Sequence, residues 1–426
     1  MKKTVKPVVS AIASAVCMGL GQLLNKQIAK GIIYIVINMF LVIFAIPRIL
    51  NGIEGLVTLG TVPMKQHSLF LMVYGILSII VLIYILWFYI TNIIDAYKKA
   101  KLKEIGQEVP GIKEEFRSFL HKSTSLLMLL PGLIAVSLVV ILPLIFSIMI
   151  GFTDYDLYHQ PPAKLLNWVG LENFKEIFTI SSWAKTFWGI LIWTIEWTVL
   201  SSILPYAVGI FLAVILNNPK IKFKRVLKTI YILPWAIPGY IAILVWRGLF
   251  DTSYGLINKF LENIFQIEQI PWLQETNTAR IALLIVSIWV GFSFPFMISD
   301  SIMKSIPSDL YEAAKLDGAT SFHCFWRITF PLLMFSIAPI FIMSLSGAFN
   351  NFNLIYLFTG GGPPNLDYQG AGNTDILISW LFKMTFNIMK YNYASAISLM
   401  IFFVVAAFSI YNFRHTRNYT EEDIMK

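Results

Sequence analysis

Run after run of about 20 consecutive apolar residues leaves this chain few ways to fold, because each run can cross about 30 Å of hydrocarbon as a helix. Inside a bilayer every backbone N–H and C=O must be paired internally, so only helices and closed barrels span it. The runs are continuous rather than alternating, which selects helices. Eight spans are expected, near residues 31–50, 69–94, 124–151, 186–216, 226–249, 279–303, 331–358 and 394–413. The expected fold class is an all-α integral membrane protein with about eight transmembrane helices. With 57% hydrophobic and 13% charged residues, a soluble globular fold is excluded.

The 33 Lys and Arg residues set the orientation. Lys2, Lys3, Lys6, Lys26 and Lys30 precede the first span, and Lys98, Lys99, Lys101, Lys103, Lys113, Arg117 and Lys122 separate the second from the third. Lys220, Lys222, Lys224, Arg225 and Lys228 separate the fourth from the fifth. Lys304, Lys315 and Arg327 follow the sixth, and Arg414, Arg417 and Lys426 end the chain. These 23 of the 33 fall on one side of the expected membrane, which the positive-inside rule makes cytosolic, with both termini inside. Because the net charge of +9 is concentrated in these short loops, no nucleic-acid partner is expected.

Cys17 and Cys324, the two cysteines, fall on the same side and are expected to stay reduced. The N-terminus mimics a signal peptide, but Val16 stands where a lipobox needs a small residue before Cys17, so it is expected to remain uncleaved. Residues 8–23 are short for a span and contain Gly19 and Gly21, which suits an interfacial or re-entrant helix.

Between the sixth and seventh spans lies a charged stretch, residues 304–331. Ser308 offers a helix cap and Asp309 a negative charge in the first turn. Ala313, Ala314, Lys315 and Leu316 are good helix formers. Gly318 sits where the chain must turn, since glycine alone adopts a left-handed conformation without a side-chain penalty. Thr320 or Ser321 can cap a second helix, and Pro331 is expected to start the seventh span in its first turn. Such an elbow would be rigid enough to transmit force.

Glu312-Ala313-Ala314, three residues, Gly318, then Ile328-x-x-Pro331 resembles the EAA loop of ABC-importer permeases. That resemblance implies a type I importer permease fold in which this loop docks onto an ATPase. Glu312, Ala313, Ala314, Asp317, Gly318 and Pro331 would form the coupling site. Glu312 would pair with a cation of the ATPase, and stranding that cation would cost about 2–5 kcal/mol. No G-x-x-x-x-G-K-[ST] loop occurs in the sequence, so ATP hydrolysis is left to a partner and the chain is expected to be non-catalytic, without a cofactor or metal.

The resemblance sharpens towards the MalF-like subunits of carbohydrate importers and covers roughly residues 120–415. It is carried by Val169-Gly170-Leu171-Glu172-Asn173-Phe174, by Ile232-Leu233-Pro234-Trp235-Ala236-Ile237-Pro238, and by Asn350-Asn351-Phe352 followed by Thr359-Gly360-Gly361-Gly362-Pro363. The outer loop after the third span is short, as in the Gram-positive maltodextrin and galacto-oligosaccharide members. The resemblance implies a bacterial cytoplasmic-membrane complex with a second, MalG-like permease subunit, an ABC ATPase dimer, an extracellular solute-binding lipoprotein, an oligosaccharide substrate and membrane lipid. The glycine run 360–362 would face the binding protein. On this reading residues 1–123 are an N-terminal segment with two additional spans and a basic linker, and 124–426 are the six-helix permease core.

A sugar pathway needs polar groups and flat aromatic faces around a shared cavity. Ser344, Ala348 and Asn351 share one helical stripe on the seventh span, as do Ser287, Gly291 and Phe294 on the sixth, before Pro295. Trp235 and Gly239 share one on the fifth, beside Pro234 and Pro238. In the resembling family the matched positions form the sugar site. Trp235, Gly239, Ser287, Gly291, Phe294, Ser344 and Asn351 are therefore the expected substrate-binding residues. Small residues at these positions also serve close helix packing.

Glu196 lies inside the fourth span, where a carboxylate costs about 2.5–3.5 kcal/mol. A hydrogen-bonded packing role is expected rather than proton coupling, because no second intramembrane acid accompanies it. The functional expectation is import of maltodextrins driven by a partner ATPase. Galacto-oligosaccharides or another sugar, or an ion-coupled secondary transporter, stand as the alternatives.

Overall fold

Helix is the regular structure throughout the computed structural model, which describes residues 6–107, 109, 124–218 and 220–415. The only β-pairing among these residues is two isolated bridges, Thr153–Trp168 and Pro364–Gly372. The termini with Lys2, Lys3, Arg417 and Lys426, and the linker cations Lys113, Arg117 and Lys122, lie outside the described residues. The chain divides into two compact units, Met1–Gly170 and Leu171–Lys426.

In the first unit α1 (Pro7–Val16) and α2 (Leu20–Leu24) precede three long apolar helices, α3 (Ile28–Thr58), α4 (Ser68–Glu104) and α5 (Met128–Ile150). The short helix α1 is polar inside and apolar outside. Ser10 and Ser14 are buried, while Val8, Val9, Ile12 and Val16 are exposed. Asn25 donates to Ser10 Oγ (2.8 Å) and to the Ala96 carbonyl of α4 (2.9 Å), and Ser14 donates to Gln22 Oε1 (3.1 Å). Lys30 pairs with Asp95 of α4 at 2.8 Å. At the other end of α3 and α4, residues 152–168 fold back. Leu166 N–H donates to Ser68 Oγ (3.0 Å) and Trp168 Nε1 to the Leu56 carbonyl (3.2 Å).

The second unit is organised around α7 (Ser181–Asn217), preceded by α6 (Glu172–Thr179). Around it lie α8 (Lys224–Ala236), α9 (Gly239–Leu249), α10 (Leu256–Phe265), α11 (Thr276–Gly291), α12 (Ser293–Ser305) and α13 (Ser308–Leu316). Then come α14 (Ser321–Phe349), α15 (Phe352–Phe358), α16 (Leu377–Lys383) and α17 (Tyr391–His415). Trp193 and Trp197 of α7 pack with Ala282, Leu283 and Val286 of α11 and with Ile355 and Phe358 of α15. Trp183, Phe187 and Ile190 of α7 pack with Trp380 of α16 and Ile397 of α17.

The spans depart from the expected eight unbroken helices in specific ways. Among the described residues five helices, α3, α4, α5, α7 and α14, are long and apolar enough to cross a membrane unbroken. The expected fifth span is the pair α8 and α9, bent by 96°, and the expected sixth is α11 and α12, bent by 43°, so the spans number up to seven. Pro238 causes the first bend: it has no N–H to donate, and it forces Ile237 out of the helical region into an extended conformation (ψ 129°). The expected eighth span falls on α17, Tyr391–His415. The expected seventh span stops at Phe349, and Phe352–Phe358 forms a separate helix.

Proline also explains why three spans stay continuous. Pro47, Pro143 and Pro331 each follow a five-residue π-helical segment, Leu41–Ala45, Ser137–Ile141 and Phe325–Thr329. A proline ring clashes with the carbonyl four residues back and leaves it without a donor. Each π segment contains that carbonyl, and the wider turn gives the ring room without breaking the helix. Pro331 therefore lies in the first turn of the α-helical stretch Phe330–Phe349, as expected, while the π segment joins that stretch to the helix before it.

Candidate coupling elbow and transport pathway

The charged stretch forms a closed elbow. α13 is followed by Asp317 and by Gly318 at φ +79°, in the left-handed region. Gly318 N–H donates to the Lys315 carbonyl (3.0 Å) and Ala319 N–H to the Ala314 carbonyl (2.9 Å). These two bonds are the Schellman closure, so the carbonyls that end α13 are satisfied locally. Thr320 Oγ1 then accepts from His323 N–H (3.4 Å) and caps α14. A bond between the Tyr311 and Thr329 hydroxyls (2.9 Å) ties the two arms together. One expectation fails here. Ser308 is the first residue of α13 and does not cap it; Pro307 occupies the cap, and Ser308 bonds only Asp309 (3.3 Å).

The surface of the elbow is unusual for a polar helix. Glu312, Ala313, Asp317 and Gly318 are exposed, Ala314 is half-buried and Pro331 is exposed on α14. Leu316 is 89% exposed, and Leu310, Phe322 and Trp326 are exposed beside it. Among the described residues Glu312 makes no ion pair within the chain.

The expected sugar-contact residues are positioned by the bends rather than by straight stripes. Trp235, 59% exposed, lies in the last turn of α8, and Gly239 begins α9 beyond the 96° bend with open space around its Cα. The two do not share a helix face. Phe294, 41% exposed, lies past the 43° bend and is likewise not in line with Ser287 and Gly291. Ser287 is buried, its hydroxyl donating to the Leu284 carbonyl (2.7 Å). Gly291 packs against Pro205 of α7, where an added Cβ would meet the ring at 3.1 Å. Ser344 faces α7, bonded to the Tyr206 hydroxyl at 2.8 Å. Asn351 falls beyond the end of α14 and caps α15, its side chain accepting from Leu354 N–H (3.3 Å).

Three polar constellations escaped the sequence reading. Glu196 of α7 faces Arg280 of α11 at 3.7 Å, so the intramembrane acid has a cationic partner. Arg280 stacks 4.0 Å from the Trp193 ring and donates twice to the Asn373 carbonyl (3.0 and 3.2 Å). Asp300 of α12 gathers Asn217, Lys228 and Lys304. Asp375, fully buried beyond the spans, accepts from Lys383 (2.6 Å), Gly372 N–H (2.7 Å) and Ser379 (2.8 Å). Burial pushes its carboxyl up from the ordinary value, while Lys383 pulls it down. The loop it anchors borders a cavity of about 640 Å³ lined by Gln274, Thr359, Pro363, Asn365, Tyr368 and Lys383. Glu196 with Arg280, and Asp300 with Asn217 and Lys228, join residues 72 or more positions apart, which no local spacing signals, whereas Asp375 gathers Gly372, Ser379 and Lys383 from its own neighbourhood.

Residues 206–417 match the family described as binding-protein-dependent transport system inner membrane component. The chain is similar to the galactooligosaccharides transport system permease protein GanP of Bacillus subtilis, 40% identical over 97% of this chain and 98% of that one. It is also similar to the maltodextrin transport system permease protein MalC of Streptococcus pneumoniae, 38% identical over 95% of each. Among solved structures, a chain of a bacterial ABC transporter involved in the import of the acidic polysaccharide alginate superposes with a TM-score of 0.58. That match is 21% identical and covers 72% of this chain and 99% of that one. The likeness is one of fold, the type I importer permease.

Proposed function

The chain belongs to the binding-protein-dependent transport-system inner-membrane component family, and we propose that it is the permease subunit of an ATP-driven importer of oligosaccharides, maltodextrins first among them. The coupling half of this reading is supported by the elbow: a Schellman-closed turn presents an exposed Leu316 and Glu312, which makes no ion pair among the described residues, as a docking face for an ATPase requires. The fold supplies one such elbow per chain, so a second permease subunit completes the pair. A binding protein delivers the sugar from outside, and the loop around Gly360–Gly362 is its proposed contact. Residues 1–123 are an added N-terminal segment, and the six-helix core begins at residue 124, with both termini in the cytosol.

Transport follows alternating access, in which closure of the ATPases moves the elbows and exchanges outward-open for inward-open arrangements. Trp235 and Phe294 present exposed aromatic faces at the two bends, and these stack the sugar rings. Gly239 leaves room for them, Ser344 and Asn351 supply polar contacts, and Ser287 and Gly291 set the packing of the bend. The maltodextrin assignment is supported by the similarity to MalC. Galacto-oligosaccharides are the second reading, supported by GanP at 40% identity. A strain lacking this chain, supplied with labelled maltotriose, longer maltodextrins and galactotriose, separates them. Loss of maltodextrin uptake, restored by the gene, is expected; loss of galactotriose uptake alone would replace the substrate, and loss of neither would overturn the reading.

A further inference from the structure

Close to the elbow, one carboxylate ties three helix ends together. Asp300 of α12, its side chain 11% exposed, accepts from Asn217 Nδ2 at the end of α7 (2.9 Å) and from Lys228 Nζ of α8 (2.5 Å). It also accepts from Lys304 Nζ, one turn along its own helix (2.7 Å). Lys304 is 59% exposed and adds little, whereas Lys228, at 20%, is held in a drier setting. Asn217 is itself fixed by a bond to the Ala213 carbonyl (2.9 Å).

The location matters as much as the strength. α12 ends at Ser305 and α13 starts at Ser308, so Asp300 sits little more than one turn from the elbow. Lys228 lies on α8, whose last turn carries Trp235 before the 96° bend. The apolar contacts around the knot, Phe296 with Ala213, Leu216, Leu227 and Met303, are non-directional and allow helices to slide. Charge-assisted hydrogen bonds are directional and short, and they resist sliding.

We propose that Asp300 is a positioning residue of the transport cycle, a latch that binds the ends of α7, α8 and α12 into one body so that displacement of the elbow is delivered to the bend beside Trp235. This rests on the importer reading above. Without the latch, α12 moves and α8 lags, so ATP is hydrolysed with little sugar moved.

The test is sugar taken up per ATP hydrolysed, measured in proteoliposomes holding the complete complex with binding protein, for wild type, Asp300→Asn and Asp300→Asn/Lys228→Met. The double variant removes the ammonium that the single variant strands, and replacing both members of a buried pair is commonly tolerated. It therefore separates folding from coupling. Uptake per ATP is expected to fall roughly tenfold in the double variant, as a lost coupling free energy would produce. A double variant with wild-type uptake per ATP overturns the latch, because Asp300 then served only to neutralise Lys228. Wild-type complex that hydrolyses ATP but takes up no sugar overturns the importer reading, and the latch with it.

Discussion

Gly318 shows how far a single residue can be read. Its spacing from Glu312 calls for a turn, and the structure gives the reason: φ +79° with both closing hydrogen bonds made. Proline fixes φ near −65° and has no N–H to give Lys315. Gly318→Pro is therefore expected to open the elbow and abolish co-purification with the ATPase, while membrane insertion is retained; normal co-purification would contradict the docking role. At Trp235 the residue was legible but its setting was not. Trp235 is exposed at the end of α8, and Trp235→Ala should raise the sugar concentration for half-maximal uptake several-fold at unchanged protein level. An unchanged concentration dependence would remove stacking there. Arg280 was illegible, because its partners Glu196 and Asn373 meet it only through tertiary packing.

At the scale of the helix, apolar length located the spans well and their continuity less well. Proline identified the sites of irregularity, yet the same residue type gives opposite outcomes. Pro331 is absorbed by the π segment Phe325–Thr329, whereas Pro238 accompanies a 96° break. The difference lies in the backbone before each proline, a π segment before Pro331 and an extended Ile237 before Pro238. The 43° bend between α11 and α12 is seated on α7 at Gly209. An added Cβ there would stand 2.7 Å from both the Phe292 carbonyl and the Phe296 N–H. Backbone cannot yield as a side-chain tip can. Gly209→Ala is expected to cost about 1–3 kcal/mol and to lower the melting temperature of the detergent-purified chain. An unaltered melting curve would mean that α7 and the bend separate freely.

Across the whole molecule, the distribution of Lys and Arg places the elbow and the basic loops on one expected side of the membrane, as the proposed docking role requires. Fold class was legible for that reason, since a bilayer leaves few solutions. The expected sugar-contact residues were less legible, because two bends interrupt the helices on which straight stripes were expected. The account stands or falls on whether this chain converts ATP hydrolysis into sugar movement. The decisive measurement is ATP hydrolysis by the complex reconstituted with its permease partner, ATPase and binding protein, with and without maltodextrin. The account expects hydrolysis to rise on sugar addition and sugar to appear inside the vesicles. An active ATPase that never associates with this chain, and sugar uptake that proceeds without it, would contradict it.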